Sequence, residues 1–298
     1  MATSRFRSEP PLILIVGPTA SGKTALGIKL AKEYDGEIIS ADSRAIYKDL
    51  SIGTAKPTLE EQDGVPHWGI DLVEPGERFT AADFQQYANK KITEIRARGH
   101  LPIIVGGTGL YIDAVMYDFE FPAEGNDIER REAFMTLSLE ALYEYCIENN
   151  VKLPENKKNK RYVVNNILRN GRELKRKREL NENTIIVGIS TERNILRNRI
   201  EKRAAIIFRD GVIEEAQKVA TMYGWDNEAM TGNIYPLIHE HLNGQLTIEE
   251  LKQKFIVRDW QLAKRQLTWL RRNEHIYWAD LSDAYTYITR RLDELSNL

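Results

Sequence analysis

One cysteine, Cys146, occurs in 298 residues, which excludes a disulfide framework and any zinc site built from a cysteine cluster. A single thiol is the usage expected of a reducing compartment. Long apolar runs are missing as well: no stretch approaches the roughly 18 consecutive apolar residues of a membrane span. The segment Met1 to Pro11 has two arginines but no apolar h-region, so no export signal is read there. Internal repeats and low-complexity tracts are also lacking, which argues against solenoids and disordered arrays. The expectation is a soluble, cytoplasmic protein away from membranes, read as a monomer.

Charge of one sign is scarce in the total, with a net value of −2, but it is unevenly placed. Residues 1–156 carry 16 Lys+Arg against 25 Asp+Glu, and residues 157–298 carry 26 against 19. Such asymmetry is expected when one region faces an anionic polymer. The densest part is Lys157 to Arg178, where ten cations are opposed by Glu173. A charge run is often just a solvated face; polyphosphate binding is the competing reading.

What the chain does have is 42% hydrophobic content, enough for one large or two modest cores. Four short runs rich in β-branched residues read as buried parallel strands: Leu12–Val16, Glu37–Ala41, Leu101–Val105 and Thr184–Ile189. Between them lie helical patterns, one from Gly22 to Tyr34 and one from Thr80 to Arg98, the latter opened by Thr80 and Asp83 as an N-cap box. The fold class is therefore α/β: a P-loop parallel sheet core with a helical insertion and a helical C-terminal region. Boundaries fall at 1–117 for the first part of the core, 118–183 for the insertion and 184–298 for core completion and the C-terminal helices. Within the insertion, Asp127–Asn149 and Asn159–Glu179 read as two helices, bounded by Pro122–Asn126 and Asn181–Asn183. After Ser190 the chain reads as helical throughout: Glu192–Asp210, Val212–Tyr223 and Thr247–Arg272, the last opened by a Thr247/Glu250 capping box.

Chemistry enters at Gly17-Pro18-Thr19-Ala20-Ser21-Gly22-Lys23-Thr24, which follows the first strand directly. This is a P-loop in its strand-to-helix setting. Backbone N–H groups close around phosphate oxygens, the following helix points its positive end at them, and Lys23 adds a charge. Thr24 would supply a hydroxyl to Mg²⁺. Asp42 follows the second strand, beside the P-loop if the two strands are neighbours; it could hold magnesium or accept a substrate proton, and the residues alone do not separate these roles. A second glycine-rich elbow, Gly106-Gly107-Thr108-Gly109, brings backbone amides and the Thr108 hydroxyl to the same rim. Arg199 and Arg203, four apart, share a helix face suited to gripping an oxyanion. Late in the chain, Gln261, Lys264, Thr268 and Arg271 fall on one side of a helix, a stripe able to track an RNA backbone, with Leu267 and Leu270 packing inward.

Together these segments resemble the tRNA dimethylallyltransferases. The resemblance is carried by the P-loop, Asp42-Ser43-Arg44-Ala45-Ile46-Tyr47, Ile52-Gly53-Thr54-Ala55-Lys56-Pro57, Val65-Pro66-His67 with Ile70-Asp71, Ala81-Ala82-Asp83-Phe84, Gly106 to Tyr111, and Lys264-Arg265-Gln266-Leu267-Thr268-Trp269-Leu270-Arg271. It implies transfer of a dimethylallyl group from dimethylallyl diphosphate to N6 of the adenosine next to the anticodon, with Mg²⁺ as cofactor. It further implies that Lys23, Thr24, Thr108 and Arg203 contact the diphosphate with Arg199 and the P-loop, and that Asp42 takes the amine proton. Contacts to the tRNA anticodon stem-loop are implied for Asp42, Ser43, Arg44, Ala45, Lys160, Arg161, Lys264, Arg265, Gln266, Thr268 and Arg271. The family usually has glutamine where this chain has Ala45. Rival readings are prenylation of free adenine nucleotides, an ATP-dependent P-loop kinase, and a catalytically silent RNA-binding protein.

Overall fold

The computed structural model describes residues 6, 9–121, 127–154, 156–172, 175–176, 179 and 183–296. They form two compact units, one spanning Met1–Met116 with Leu180–Leu298, the other Tyr117–Glu179. Among the described residues no helix is long and apolar enough to cross a membrane.

The first unit is built on β1 (Leu12–Val16), α1 (Lys23–Glu33), β2 (Gly36–Ala41), α2 (Leu59–Gln62), β3 (His67–Trp68), α3 (Ala81–Ala97), β4 (Leu101–Gly106) and α4 (Gly109–Tyr117). The second unit contributes β5 (Phe119–Glu120), α5 (Asp127–Thr136), α6 (Leu139–Glu148), α7 (Lys160–Leu168) and β6 (Lys175–Arg176). The chain then returns with β7 (Thr184–Ile189), α8 (Arg193–Arg209), α9 (Val212–Tyr223), α10 (Tyr235–Leu242), α11 (Ile248–Leu270), β8 (Tyr277–Ala279) and α12 (Leu281–Ser296).

Six strands form one sheet in the order β3-β2-β4-β1-β7-β8, every pairing parallel. Ile13, Leu14, Ile15 and Val16 are fully buried, as expected for an inner parallel strand covered on both faces. Each such side chain contributes about 1.5–3 kcal/mol of transfer free energy. One face packs α1 and α12 around Leu26, Leu30, Ile288 and Leu292. A separate cluster around Tyr47, Val219, Tyr235 and Phe255 joins the 46–50 loop to α9, α10 and α11. Both capping boxes form: Thr80 accepts from the Asp83 N–H and Thr247 from the Glu250 N–H, each satisfying an orphan donor of its helix.

Several expectations are corrected. The helix read over Asn159–Glu179 stops at Leu168, because Asn170 and Gly171 both take left-handed φ values of 53° and 71°. Lys175 and Arg176 instead form a strand antiparallel to β5, so the insertion is not purely helical. The helix read over Asp127–Asn149 breaks in two, with Ser138 capping the second through the Ala141 N–H. Beyond Ser190 the chain is not wholly helical: β8 adds a sixth strand beside β7. Of the boundaries and charges named above, Pro122–Asn126, Glu173, Lys177, Arg178 and 181–182 lie outside the described residues.

Candidate active site

The P-loop leaves β1 at the carboxyl edge of the sheet and turns through two left-handed residues, Ala20 (φ 61°) and Gly22 (φ 92°), into α1. Thr19 and Ser21 are buried. Lys23 folds back so that its Nζ donates to the Pro18 carbonyl at 3.0 Å. Burial pushes its pKa down to about 8; the Asp42 carboxylate opposes that shift and the Arg203 guanidinium reinforces it. Lys23 thus feels one acid and one further cation, a balance that an incoming polyanion would reverse.

The two arginines of α8 close this loop from the side. Leu196 and Ile200 bury one face of the helix with Ala263 of α11 and Ala20 of the P-loop. That packing turns Arg199 and Arg203 inward. Arg199 Nη1 donates to the Ser21 carbonyl at 3.1 Å. Arg203 donates from Nη1 to the Thr19 hydroxyl and from Nη2 to the Thr54 carbonyl at 3.2 Å. Two buried polar atoms here have no partner among the described residues, Ser21 Oγ and Arg203 Nε. Buried polar groups are nearly always satisfied, so these two atoms are open to a water or a ligand.

Asp42 stands at the end of β2, but β1 and β2 are not neighbours; β4 lies between them. The expected adjacency is therefore indirect, through the β4 tip. Asp42 Oδ1 accepts the Arg44 N–H at 2.8 Å, which fixes its rotamer and leaves Oδ2 without a partner among the described residues. Thr108 stitches the β4 tip to this turn: its amide donates to the Ala41 carbonyl at 3.1 Å and its hydroxyl accepts the Ser43 N–H at 3.0 Å. The elbow expected to lend its amides to a phosphate thus spends the Thr108 amide on the fold. Arg44 is held by the Glu228 carbonyl at 2.8 Å, and Ala45 is buried.

On α11 and its C-cap, Arg271, the outward stripe Gln261, Lys264, Thr268 and Arg271 is exposed, as is Arg265, while Leu270 is buried. Gln266 faces the other way: its Oε1 accepts the Thr19 N–H at 2.8 Å, so its side chain belongs to the P-loop rather than to the outward stripe. Spacing could have found it, since Gln266 sits between buried Ala263 and Leu270 at three and four residues. Trp269 closes the same face, donating from Nε1 to Asp113 at 2.7 Å. In the second unit, Lys160 Nζ donates to the Met135 carbonyl at 2.6 Å and Arg161 is exposed.

A P-loop on an inner strand, flanked by two inward arginines, with an acid at the end of the strand beyond β4, defines a P-loop α/β enzyme. Comparison with known proteins narrows the class. A family model described as IPP transferase matches residues 45–273. A tRNA dimethylallyltransferase of Bacillus velezensis is 38% identical over 291 residues, covering 92% of both chains. The crystal structure of a tRNA isopentenylpyrophosphate transferase from Bacillus halodurans superposes with a TM-score of 0.74 at 34% identity, covering 97% of this chain and 99% of that one. A eukaryotic dimethylallyltransferase acting on tRNA, 22% identical, shares the fold with a TM-score of 0.74 over 91% of this chain and 74% of its own. The chain belongs to the IPP transferase family.

Proposed function

We propose that this protein is a tRNA dimethylallyltransferase, moving the dimethylallyl group of dimethylallyl diphosphate to N6 of the adenosine next to the anticodon and releasing diphosphate. The observation that carries the reading is the pair of unsatisfied buried atoms, Ser21 Oγ and Arg203 Nε, around a Lys23 within electrostatic reach of Asp42. A diphosphate there satisfies both atoms and neutralises two cations. The free Asp42 oxygen then faces the position of the acceptor amine.

The adenine amine is a weak nucleophile because its lone pair is delocalised into the ring. Rate enhancement therefore comes from aligning nitrogen with the allylic carbon and from stabilising the departing diphosphate. Lys23, Arg199 and Arg203 neutralise the leaving group as the C–O bond breaks. Asp42 Oδ2 accepts the proton shed as the C–N bond forms, an effect of about 10²- to 10⁴-fold. The adenosine must leave its stack to enter, which suits an unpaired loop.

Mg²⁺ fits the residues present. Thr24 stands in the first turn of α1, directly after Lys23, where a P-loop supplies its hydroxyl. The ion would thus be held by the Thr24 hydroxyl, diphosphate oxygens and water, adding charge neutralisation at the leaving group.

The test is mass analysis of anticodon-loop nucleosides after incubation with dimethylallyl diphosphate, Mg²⁺ and unmodified tRNA. A prenylated adenosine in the loop is the expected product. Transfer to AMP in preference to RNA, or phosphoryl transfer from labelled ATP without prenylation, would sink the assignment.

A further inference from the structure

The Ile52–Pro57 run has no role in the mechanism above, yet its backbone ends on a site residue. Glu215, in the first turn of α9, spends its whole carboxylate on that segment and on one tyrosine. Oε2 accepts the N–H groups of Ser51 at 2.7 Å and Ile52 at 2.6 Å. Oε1 accepts the Gly53 N–H and the Tyr235 O–H, both at 2.9 Å. Gly53 leaves room for this: a Cβ there would meet the Tyr235 hydroxyl at 2.5 Å. Four donors on one ionised acceptor form a charge-assisted cluster that holds three successive peptide units in one orientation. At the far end of the segment, buried Lys56 donates to the Tyr47 carbonyl and to Asp71 Oδ1. Between these two anchors, the Thr54 carbonyl accepts from Arg203 Nη2 at 3.2 Å, and the same guanidinium reaches the P-loop Thr19 hydroxyl.

We propose that Glu215 is a positioning residue for the diphosphate cradle: it fixes the 51–54 segment so that the Thr54 carbonyl holds Arg203 against the P-loop. Among the described residues Arg203 has no carboxylate partner; its guanidinium is oriented by the Thr54 carbonyl and the Thr19 hydroxyl. A planar fork held by two fixed acceptors keeps its other three N–H groups, Nε among them, in fixed directions. Releasing the segment lets the guanidinium rotate away and lowers the affinity for the anion. The inference rests on the diphosphate-binding reading of the P-loop given above.

The experiment is calorimetric titration of the whole protein with inorganic diphosphate and Mg²⁺, for wild type, Glu215→Gln, Arg203→Ala and the double variant. Glu215→Gln keeps the shape but turns one acceptor into an NH₂ donor facing N–H groups. It should weaken diphosphate binding about tenfold in the wild-type background and less than about twofold when Arg203 is already gone, the non-additivity expected of residues acting in one chain of contacts. Equal losses in both backgrounds, or unchanged binding by a folded Glu215→Gln protein, overturn the proposal. Should Glu215→Gln fail to fold, Tyr235→Phe removes one of the four donors and should weaken binding about threefold with the same dependence on Arg203. Wild-type affinity in Tyr235→Phe overturns it as well. Prenyl transfer by the wild-type protein reports separately on the proposed function.

Discussion

Gln266 and Thr19, 247 positions apart, are joined by one hydrogen bond from the P-loop amide to the carboxamide oxygen of α11 at 2.8 Å. This bond ties the late helix to the phosphate cradle, so a residue of the Lys264–Arg271 segment bears on donor binding. Gln266→Ala leaves the buried Thr19 N–H unpaired, at a cost of about 1–3 kcal/mol shared between stability and P-loop order. Calorimetry should find diphosphate affinity reduced several-fold with tRNA affinity unchanged. A loss confined to tRNA affinity would return Gln266 to RNA recognition.

The same contact shows how far the sequence carries and where it stops. The P-loop is legible from its glycine, lysine and threonine spacing, and the four inner strands because each is a short run dominated by apolar, mostly β-branched residues. β3 and β8, of two and three residues, are too short to show a period. Asp42 could be placed at a strand end, but its separation from the P-loop by β4 depends on strand order, which no local pattern encodes. The helical reading of Asn159–Glu179 runs past Leu168, whereas the left-handed Asn170-Gly171 pair decides the backbone. The cradle's support is likewise non-local, because Glu215, Thr54 and Gln266 act through atoms far apart in the chain.

Gly109 and Trp269 are in direct contact, and the glycine has no steric slack. A Cβ on Gly109 would lie 2.0 Å from the indole Cδ1. Gly109→Ala must therefore push α11 outward, breaking the Trp269 Nε1 to Asp113 bond and misplacing Gln266. Overpacking of this kind costs about 1–3 kcal/mol. Denaturant unfolding should show that loss, and diphosphate affinity should fall with it. A variant as stable as wild type would mean that the helix yields freely.

The depressed Lys23 pKa sets a pH signature with opposite signs for stability and for binding. The unfolded chain holds this proton up to the ordinary value of 10.5, and the folded protein releases it near 8. Between those values the unfolded state binds more protons, so this residue's contribution to stability rises with pH through that window. Anion binding runs the other way, because a bound diphosphate favours charged Lys23. With a donor whose terminal phosphate ionises at about 6, affinity should be level from neutrality to about pH 8 and fall above it by up to about tenfold per unit. Lys23→Met should bind weakly with no break near pH 8. A break that survives in Lys23→Met would assign it to another group.

The exposed stripe of α11 makes a separable claim about RNA. Lys264 and Arg271 project from the exposed side of the helix, away from the Gln266 and Trp269 face. Removing both charges should weaken tRNA binding at low salt and flatten the dependence of log affinity on log salt by about one unit per lost phosphate contact. Diphosphate affinity should not change. A wild-type slope in Lys264→Ala/Arg271→Ala would make the stripe a plain solvated face.

Asp42 can be tested with its geometry kept intact. Oδ1 accepts the Arg44 N–H at 2.8 Å, and an asparagine oxygen at the same place can accept that bond and preserve the turn that Thr108 supports through Ser43. What Asp42→Asn removes is the ionised Oδ2. If that oxygen takes the amine proton, kcat should fall by about 10²- to 10⁴-fold, while the Kd for tRNA stays near wild type. Loss of the negative charge also removes the interaction that keeps Lys23 protonated, so the break in diphosphate affinity should move below pH 8 in this variant. The two readouts are independent: the first reports proton acceptance and the second reports distance to the cradle. A large loss of tRNA affinity with little change in kcat would make Asp42 a recognition residue. An unmoved pH break would place it too far from Lys23 to share one reaction centre.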